Sequence, residues 1–231
     1  MSRQAPPGEA RKQASVRPRL ESGLREVLGD DALADPLMAY LQELLRWNRA
    51  YNLTAVRDPA EMVTRHVLDS LAALPGERDL PQGARVCDVG AGAGLPGIPW
   101  ALARPDIHVT LIDSVGKKVR FMRHAIRTLS LDNAEAHQVR AEAFDGTEPF
   151  DVVVCRAFAS LHDFIEMTAH LAGGDGRWLA MKGKLVDSEL AQLPEGFKVS
   201  RADALHVPGL REDRHLVVIE RAAPVARAES A

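Results

Sequence analysis

Val86-Cys87-Asp88-Val89-Gly90-Ala91-Gly92-Ala93-Gly94-Leu95-Pro96-Gly97 runs from a short apolar stretch through an acid into glycines at every second position. A helical pattern follows. Glycine accepts positive φ and carries no Cβ, so a turn of this composition brings backbone close to a ligand, and the helix beyond it is expected to offer unpaired N–H groups. A nucleotide-like ligand is the first expectation, with Asp88, Gly90, Gly92, Gly94 and Leu95 as candidate binding residues.

The ligand has two candidates, because Gly92, Gly94 and Gly97 also satisfy the dinucleotide pattern G-x-G-x-x-G. A carboxylate at Asp88 suits a cation better than a diphosphate, which favours S-adenosylmethionine with its sulfonium and ammonium groups over NAD. Asp113 closes the apolar run Ile107 to Ile112 about twenty residues on, where a ribose-binding acid belongs. Either cofactor uses such an acid. A glycine-rich turn with structural duties only is the remaining alternative.

The chain has 231 residues, enough for one α/β domain and an additional segment. Its net charge of −3 excludes a globally basic nucleic-acid binder, so any RNA contact must come from a local patch. Cys87 and Cys155 lack metal-ligand spacing and read as buried thiols, so no metal site is expected. No stretch reaches the roughly eighteen apolar residues of a membrane span, and the expectation is a soluble cytoplasmic protein without membrane contact.

Four segments are expected. Residues 1–20 carry Pro6, Pro7 and Pro18 among basic residues and read as a disordered tail; 21–80 as a helical segment packed on the core; 81–223 as the catalytic core; 224–231 as a flexible tail. Leu24, Val27 and Leu28 suggest a short helix. Asp35-Pro36 and Asp58-Pro59 each supply a cap and first-turn proline for two more. From Ala84 strands are expected at 84–89, 107–113, 134–139, 151–155 and 177–182, alternating with helices at 96–103, 116–129, 160–171 and 186–192. Strands Phe197 to Val207 and His215 to Arg221 lack an intervening helix and should pair antiparallel at one edge of the sheet.

Several runs together carry a family resemblance: 47–54 (WNRAYNLT), 65–71 (RHVLDSL), 88–99 and 155–161 (CRAFASL). In this order they resemble the bacterial 16S rRNA guanine-N7 methyltransferases, also called glucose-inhibited division protein B. Cys155 stands where the family pattern has serine, and Trp100 where a smaller aliphatic is expected. The resemblance implies a class I methyltransferase fold, a Rossmann-like sheet of seven strands with the last antiparallel, preceded by the helical segment. It also implies S-adenosylmethionine as cofactor and 16S rRNA as substrate; that RNA is expected within the small ribosomal subunit, and the enzyme is expected to be a monomer.

By the same resemblance Gly90 and Leu95 belong to the cofactor loop, Asp113 to the ribose, Ala141 and Glu142 to the adenine, and Arg156 to the pocket rim, with Ser114 a further cofactor-binding candidate. Arg156 and Lys182 end strands on the carboxyl side of the sheet and are the candidate catalytic residues. RNA contact is expected from Asn48, Tyr51, Asn52, Arg65, His66 and Lys182, and from Lys117, Lys118 and Arg123 on the basic helix after Gly116. Structural alternatives stand beside these: an Arg156–Asp88 ion pair, an Arg65–Asp69 pair at i,i+4, a packed His66, and a solvated basic helix face. An NAD-dependent oxidoreductase and a non-catalytic ribosome-assembly factor are the competing functions.

Overall fold

A computed structural model describes residues 15–222 apart from Pro75, Glu77, Thr147 and Ala159. Residues 1–14 of the expected 1–20 tail, and the expected tail at 224–231, lie outside the described residues. Helix α1 spans Val16–Leu28 and begins before the expected boundary at residue 20, because Val16 and Leu20 are buried and belong to its packed face. Helix α2, Ala34–Tyr51, starts one residue before Asp35, so Asp35 sits in the first turn and Leu33 occupies the cap position. The expected Asp35 cap is therefore not formed; its carboxylate pairs with Arg17 instead.

Asp58 does cap the next helix, accepting from the Ala60 and Glu61 N–H groups, with Pro59 in the position whose missing N–H costs nothing. This helix, α3, has three parts: Pro59–Met62, a π-helical turn Val63–Leu68, and Asp69–Ala72. Such turns concentrate at functional sites.

Seven strands follow: β1 Arg85–Val89, β2 His108–Asp113, β3 Ala134–Gln138, β4 Phe150–Arg156, β5 Ala172–Lys182, β6 Phe197–Ala204 and β7 His215–Arg221. Between them lie α4 Gly97–Ala103, α5 Gly116–Thr128, a 3₁₀ turn Ala141–Ala143, α6 Leu161–Thr168 and the short α7 Asp187–Leu190. The order across the sheet is β3-β2-β1-β4-β5-β7-β6, parallel from β3 to β5 and antiparallel on both sides of β7. β5 is longer than expected: Ala172 pairs with Phe150 before a register shift, beyond which Arg177 pairs with Val152, so Gly173 to Gly176 join the strand where composition reads as turn.

Strand alternation sends Val86, Leu111, Val154 and Leu179 to one face and Cys87, Ile112, Val153 and Trp178 to the other. The first face carries α1 to α5. The second is covered by α6 through Leu161, Phe164 and Ile165. Both cysteines are free and buried, and burial pushes their thiols up, which keeps them protonated and unreactive. The order reverses between β1 and β4, which places a crevice at the carboxyl ends of these strands.

Candidate active site

At that crevice lies a cleft of about 290 Å³. Gly90, Asp113, Ser114, Ala141 and Glu142, all expected at the cofactor, line it. Lys118, expected on RNA, lines it too. The walls include Ile112, Val115, Val139, Phe158 and Met167, with Arg140 at the rim. Of these, Phe158 lay within a quoted motif and Arg140 directly precedes Ala141, so position alone pointed to both.

Asp113 is buried and its carboxylate is closely held. Oδ1 accepts from the Val115 N–H at 2.8 Å; Oδ2 accepts from the Gly92 N–H at 3.1 Å and from the Lys118 ammonium at 3.2 Å. Gly92 thus reaches the cleft indirectly, by holding the acid. Gly90 has φ of +67° and open space where a Cβ would stand, so a ligand approaches its backbone directly.

The glycine loop does not offer the unpaired N–H groups expected of it. The N–H of Gly97, at the start of α4, donates to Asp88 Oδ2 at 2.8 Å, while Gly90 and Ala91 donate to the Ile112 carbonyl and Gly94 and Leu95 to that of Ala91. Ile98 donates to Gly94. The amides a diphosphate requires are therefore spent inside the protein. Asp88, Gly94 and Leu95 do not line the cleft: Leu95 is buried in the core, and Asp88 is fully buried beneath the loop. A Cβ at Gly97 would meet Asp88 Oδ2 at 2.8 Å, so glycine is required there by the cap. Burial raises the Asp88 carboxyl to about 7, against the opposing pull of the Gly97 hydrogen bond, and its Oδ1 has no hydrogen-bond partner among the described residues.

Arg156 lies at the end of β4 and does not pair with Asp88. Its Nη1 donates to the Arg65 carbonyl at 3.1 Å and lies 3.5 Å from Asp69 Oδ2, while Arg214 Nε donates to Asp69 Oδ1 at 2.9 Å. Asp69 is thus shared between Arg156 at the end of β4 and Arg214 just before β7, and Arg65 pairs with Glu212 instead of closing an i,i+4 bridge. Burial nevertheless raises the Asp69 carboxyl, outweighing both guanidinium groups. Lys182 ends β5 with its ammonium 2.5 Å from Glu189 Oε1, which also accepts the Leu161 N–H.

The expected RNA contacts divide. Asn48 is buried, accepting the Thr54 N–H and donating to the Val56 carbonyl, so its amide organises the turn after α2. Asn52 takes the left-handed position ending that helix and accepts from Arg57. His66 is also buried: Nδ1 faces the Arg65 carbonyl at 2.9 Å, which only accepts, so Nδ1 carries the proton and Nε2 accepts from the Thr54 hydroxyl at 2.8 Å. Burial lowers this imidazole to about 4, with Arg156 adding to the effect. Asn48 and His66 are therefore structural, because their hydrogen bonds close inward. Tyr51 is exposed and tilted against Trp47, Lys117 is half-buried, and Arg123 is exposed with Nε on the Ala136 carbonyl.

The profile of the family described as GidB, rRNA small subunit methyltransferase G, matches residues 34–217. The chain belongs to this family. Ribosomal RNA small subunit methyltransferase G of Enterobacter sp. (strain 638) is 51% identical over 190 residues, 82% of this chain and 90% of the relative. The protein of that name from Shigella flexneri is 49% identical over the same shares. Among solved structures, mitomycin 7-O-methyltransferase MmcR aligns with a TM-score of 0.59 at 19% identity, covering 95% of this chain and 70% of its own. TrmN from Thermus thermophilus gives 0.54 at 22% identity, covering 69% and 53%. These two bear on the fold, that of the class I methyltransferases. The matched span runs from the start of α2 into β7 and so includes the glycine loop and strands β1 to β6.

Proposed function

We propose that this chain transfers a methyl group from S-adenosylmethionine to N7 of a guanine in 16S ribosomal RNA, acting in the cytoplasm as a monomer on the small subunit. The observation carrying the cofactor choice is the spent loop. With the Gly97 amide on Asp88 and the neighbouring amides internally bonded, a diphosphate finds no cradle, which disfavours NAD. The cleft residues fit the methyl donor: Asp113 for ribose hydroxyls, Val115, Val139 and Phe158 for an adenine ring, and the open backbone of Gly90. Family membership supplies the acceptor.

When bound, the sulfonium supplies an activated methyl group. Guanine N7 already presents a lone pair with no proton to remove, so the protein has no need of a general base. Its residues instead hold the base in line, an orientation term worth up to about 7–11 kcal/mol. Arg156 fits this role: the Arg65 carbonyl and Asp69 fix its guanidinium, and its five N–H donors leave some for guanine O6 or a neighbouring phosphate. A donor on N7 itself would occupy the attacking lone pair. Lys182, held by Glu189 near the same strand ends, adds positive charge to the rim. In folded RNA the deep A-form groove hides N7, so the guanine must lie in a loop or leave its stack.

Transfer of tritium from labelled donor to small-subunit RNA, with mass spectrometry locating 7-methylguanosine, tests the activity. Calorimetry should give binding heat with S-adenosylhomocysteine, the demethylated homologue of the donor, and none with NAD. Absence of transfer with the homologue still bound would leave a non-catalytic assembly factor.

A further inference from the structure

A second cleft, of about 300 Å³, lies between α1, α3 and the connection from β6 to β7. Arg19 comes from α1, Glu61, Thr64 and Arg65 from α3, and Arg211 and Glu212 from the connection. We propose that this cleft binds one backbone phosphodiester of the RNA substrate through Arg19, Arg211 and the hydroxyl of Thr64, an inference resting on the RNA-methylating function above.

Thr64 carries the argument. It is 4% exposed, and its Oγ1 has no hydrogen-bond partner among the described residues, although buried hydroxyls in folded proteins are nearly always bonded. A hydroxyl with a free proton suits an anionic oxygen. Opposite it stands Gly209, whose φ of +76° is a backbone conformation that favours glycine and turns the connection over the Thr64 side chain. Thr64 also lies in the π-helical turn of α3.

The charge balance agrees. Arg65 is neutralised by Glu212 and one further carboxylate, Glu61, lines the cleft, whereas Arg19 and Arg211 have no ion pair among the described residues. Three guanidinium groups against two carboxylates leave one net positive charge, matching the single negative charge of a phosphodiester. The cleft is also wired to the catalytic rim. Arg65 gives its carbonyl to Arg156, and Arg214, three residues beyond Arg211, bonds the Asp69 that faces Arg156. RNA held here therefore runs beside the residues proposed to orient the target base.

The test compares the full chain with Arg19→Ala/Arg211→Ala, with Arg19→Lys/Arg211→Lys and with Thr64→Val. It measures affinity for 16S rRNA across a salt series and, separately, for S-adenosylhomocysteine. The double alanine variant should bind RNA more weakly, and its plot of log affinity against log salt should be shallower by about 0.7–0.9, one neutralised phosphate being lost. The double lysine variant should keep the parent slope. Thr64→Val should lower RNA affinity without changing the slope, since no charge is lost. All three should bind the homologue as the parent does. Unchanged RNA affinity and slope in the double alanine variant would overturn the proposal, as would an equal loss of both affinities, which marks general loosening. A parent that methylates no small-subunit RNA refutes the proposed function instead, a result separate from either.

Discussion

The phenol of Tyr40 donates to the carbonyl of Ala93 at 2.7 Å, tying the centre of α2 to the glycine loop across 53 residues of sequence. Tyr40 is fully buried, and burial raises its phenol well above the usual range, so it remains a donor throughout ordinary pH. The helical leader thereby braces the glycine loop. Tyr40→Phe should leave the Ala93 oxygen buried without a donor and cost about 1–3 kcal/mol. Urea unfolding measures this, and calorimetry should show weaker binding of S-adenosylhomocysteine. Equal stability and binding would mean the loop is held by its own turns.

Asp113 organises the cleft, receiving three donors. Asp113→Asn removes the charge and places an amide against the Gly92 and Val115 N–H groups. Binding of the homologue should weaken by about tenfold or more, the scale of a lost charged hydrogen bond. Lys118→Met, which frees one lone pair while removing an ammonium, should have the smaller effect. The reverse ranking would place the ligand on the lysine.

The buried carboxyl of Asp88 makes stability depend on pH in an unusual direction. Its value is about 7 in the folded chain against 3.8 unfolded, so between these the native state retains a proton that the unfolded state has lost. Its contribution is fully present below about pH 4 and disappears as pH rises towards 7. His66, lowered from 6.5 to about 4, acts in the opposite sense over part of this window, so the parent must be compared with Asp88→Asn at each pH. The parent-minus-variant difference in unfolding free energy should fall steadily from pH 4 to 7. A flat difference would show that Asp88 is ionised throughout.

Asp69 joins Arg156 to Arg214. Asp69→Ala leaves two guanidinium groups facing each other and should destabilise the fold by about 3 kcal/mol, the low end for a broken buried pair because both arginines are about a quarter exposed. Asp69→Asn should restore much of the stability but less of the methylation rate, since the amide holds Arg156 without its charge. Arg156→Ala combined with Lys182→Ala should reduce methyl transfer while leaving homologue binding in place. Unchanged rate and RNA affinity in that double variant would remove both from the rim.

Much of this was readable from composition and period. The loop from Asp88 to Gly97, the strand ends at Asp113 and Arg156 and the antiparallel last pair all follow from local patterns, and the Asp58 cap from a dipeptide. What escaped was direction. Asp88 turns beneath the loop to cap α4, and Asn48 and His66 spend their polar atoms on neighbouring backbone and on Thr54. Spacing identifies a polar side chain near a site, but its partner depends on which groups the folded chain strands nearby. The π-helical turn was hidden for the same reason, since its residues keep an ordinary helical pattern of apolar positions. Tyr40 and Thr64 gave no sequence signal.

β7 lies between β5 and β6 although it comes last in the chain. During synthesis, β5 therefore emerges with one edge uncovered, exposing the backbone of Trp178 to Lys182 until His215 to Arg221 arrives to pair with it. Arg214 reaches Asp69 only with that arrival. A message truncated before this strand would yield a chain with the whole glycine loop but an open, sticky sheet margin, a product suited to aggregation and degradation.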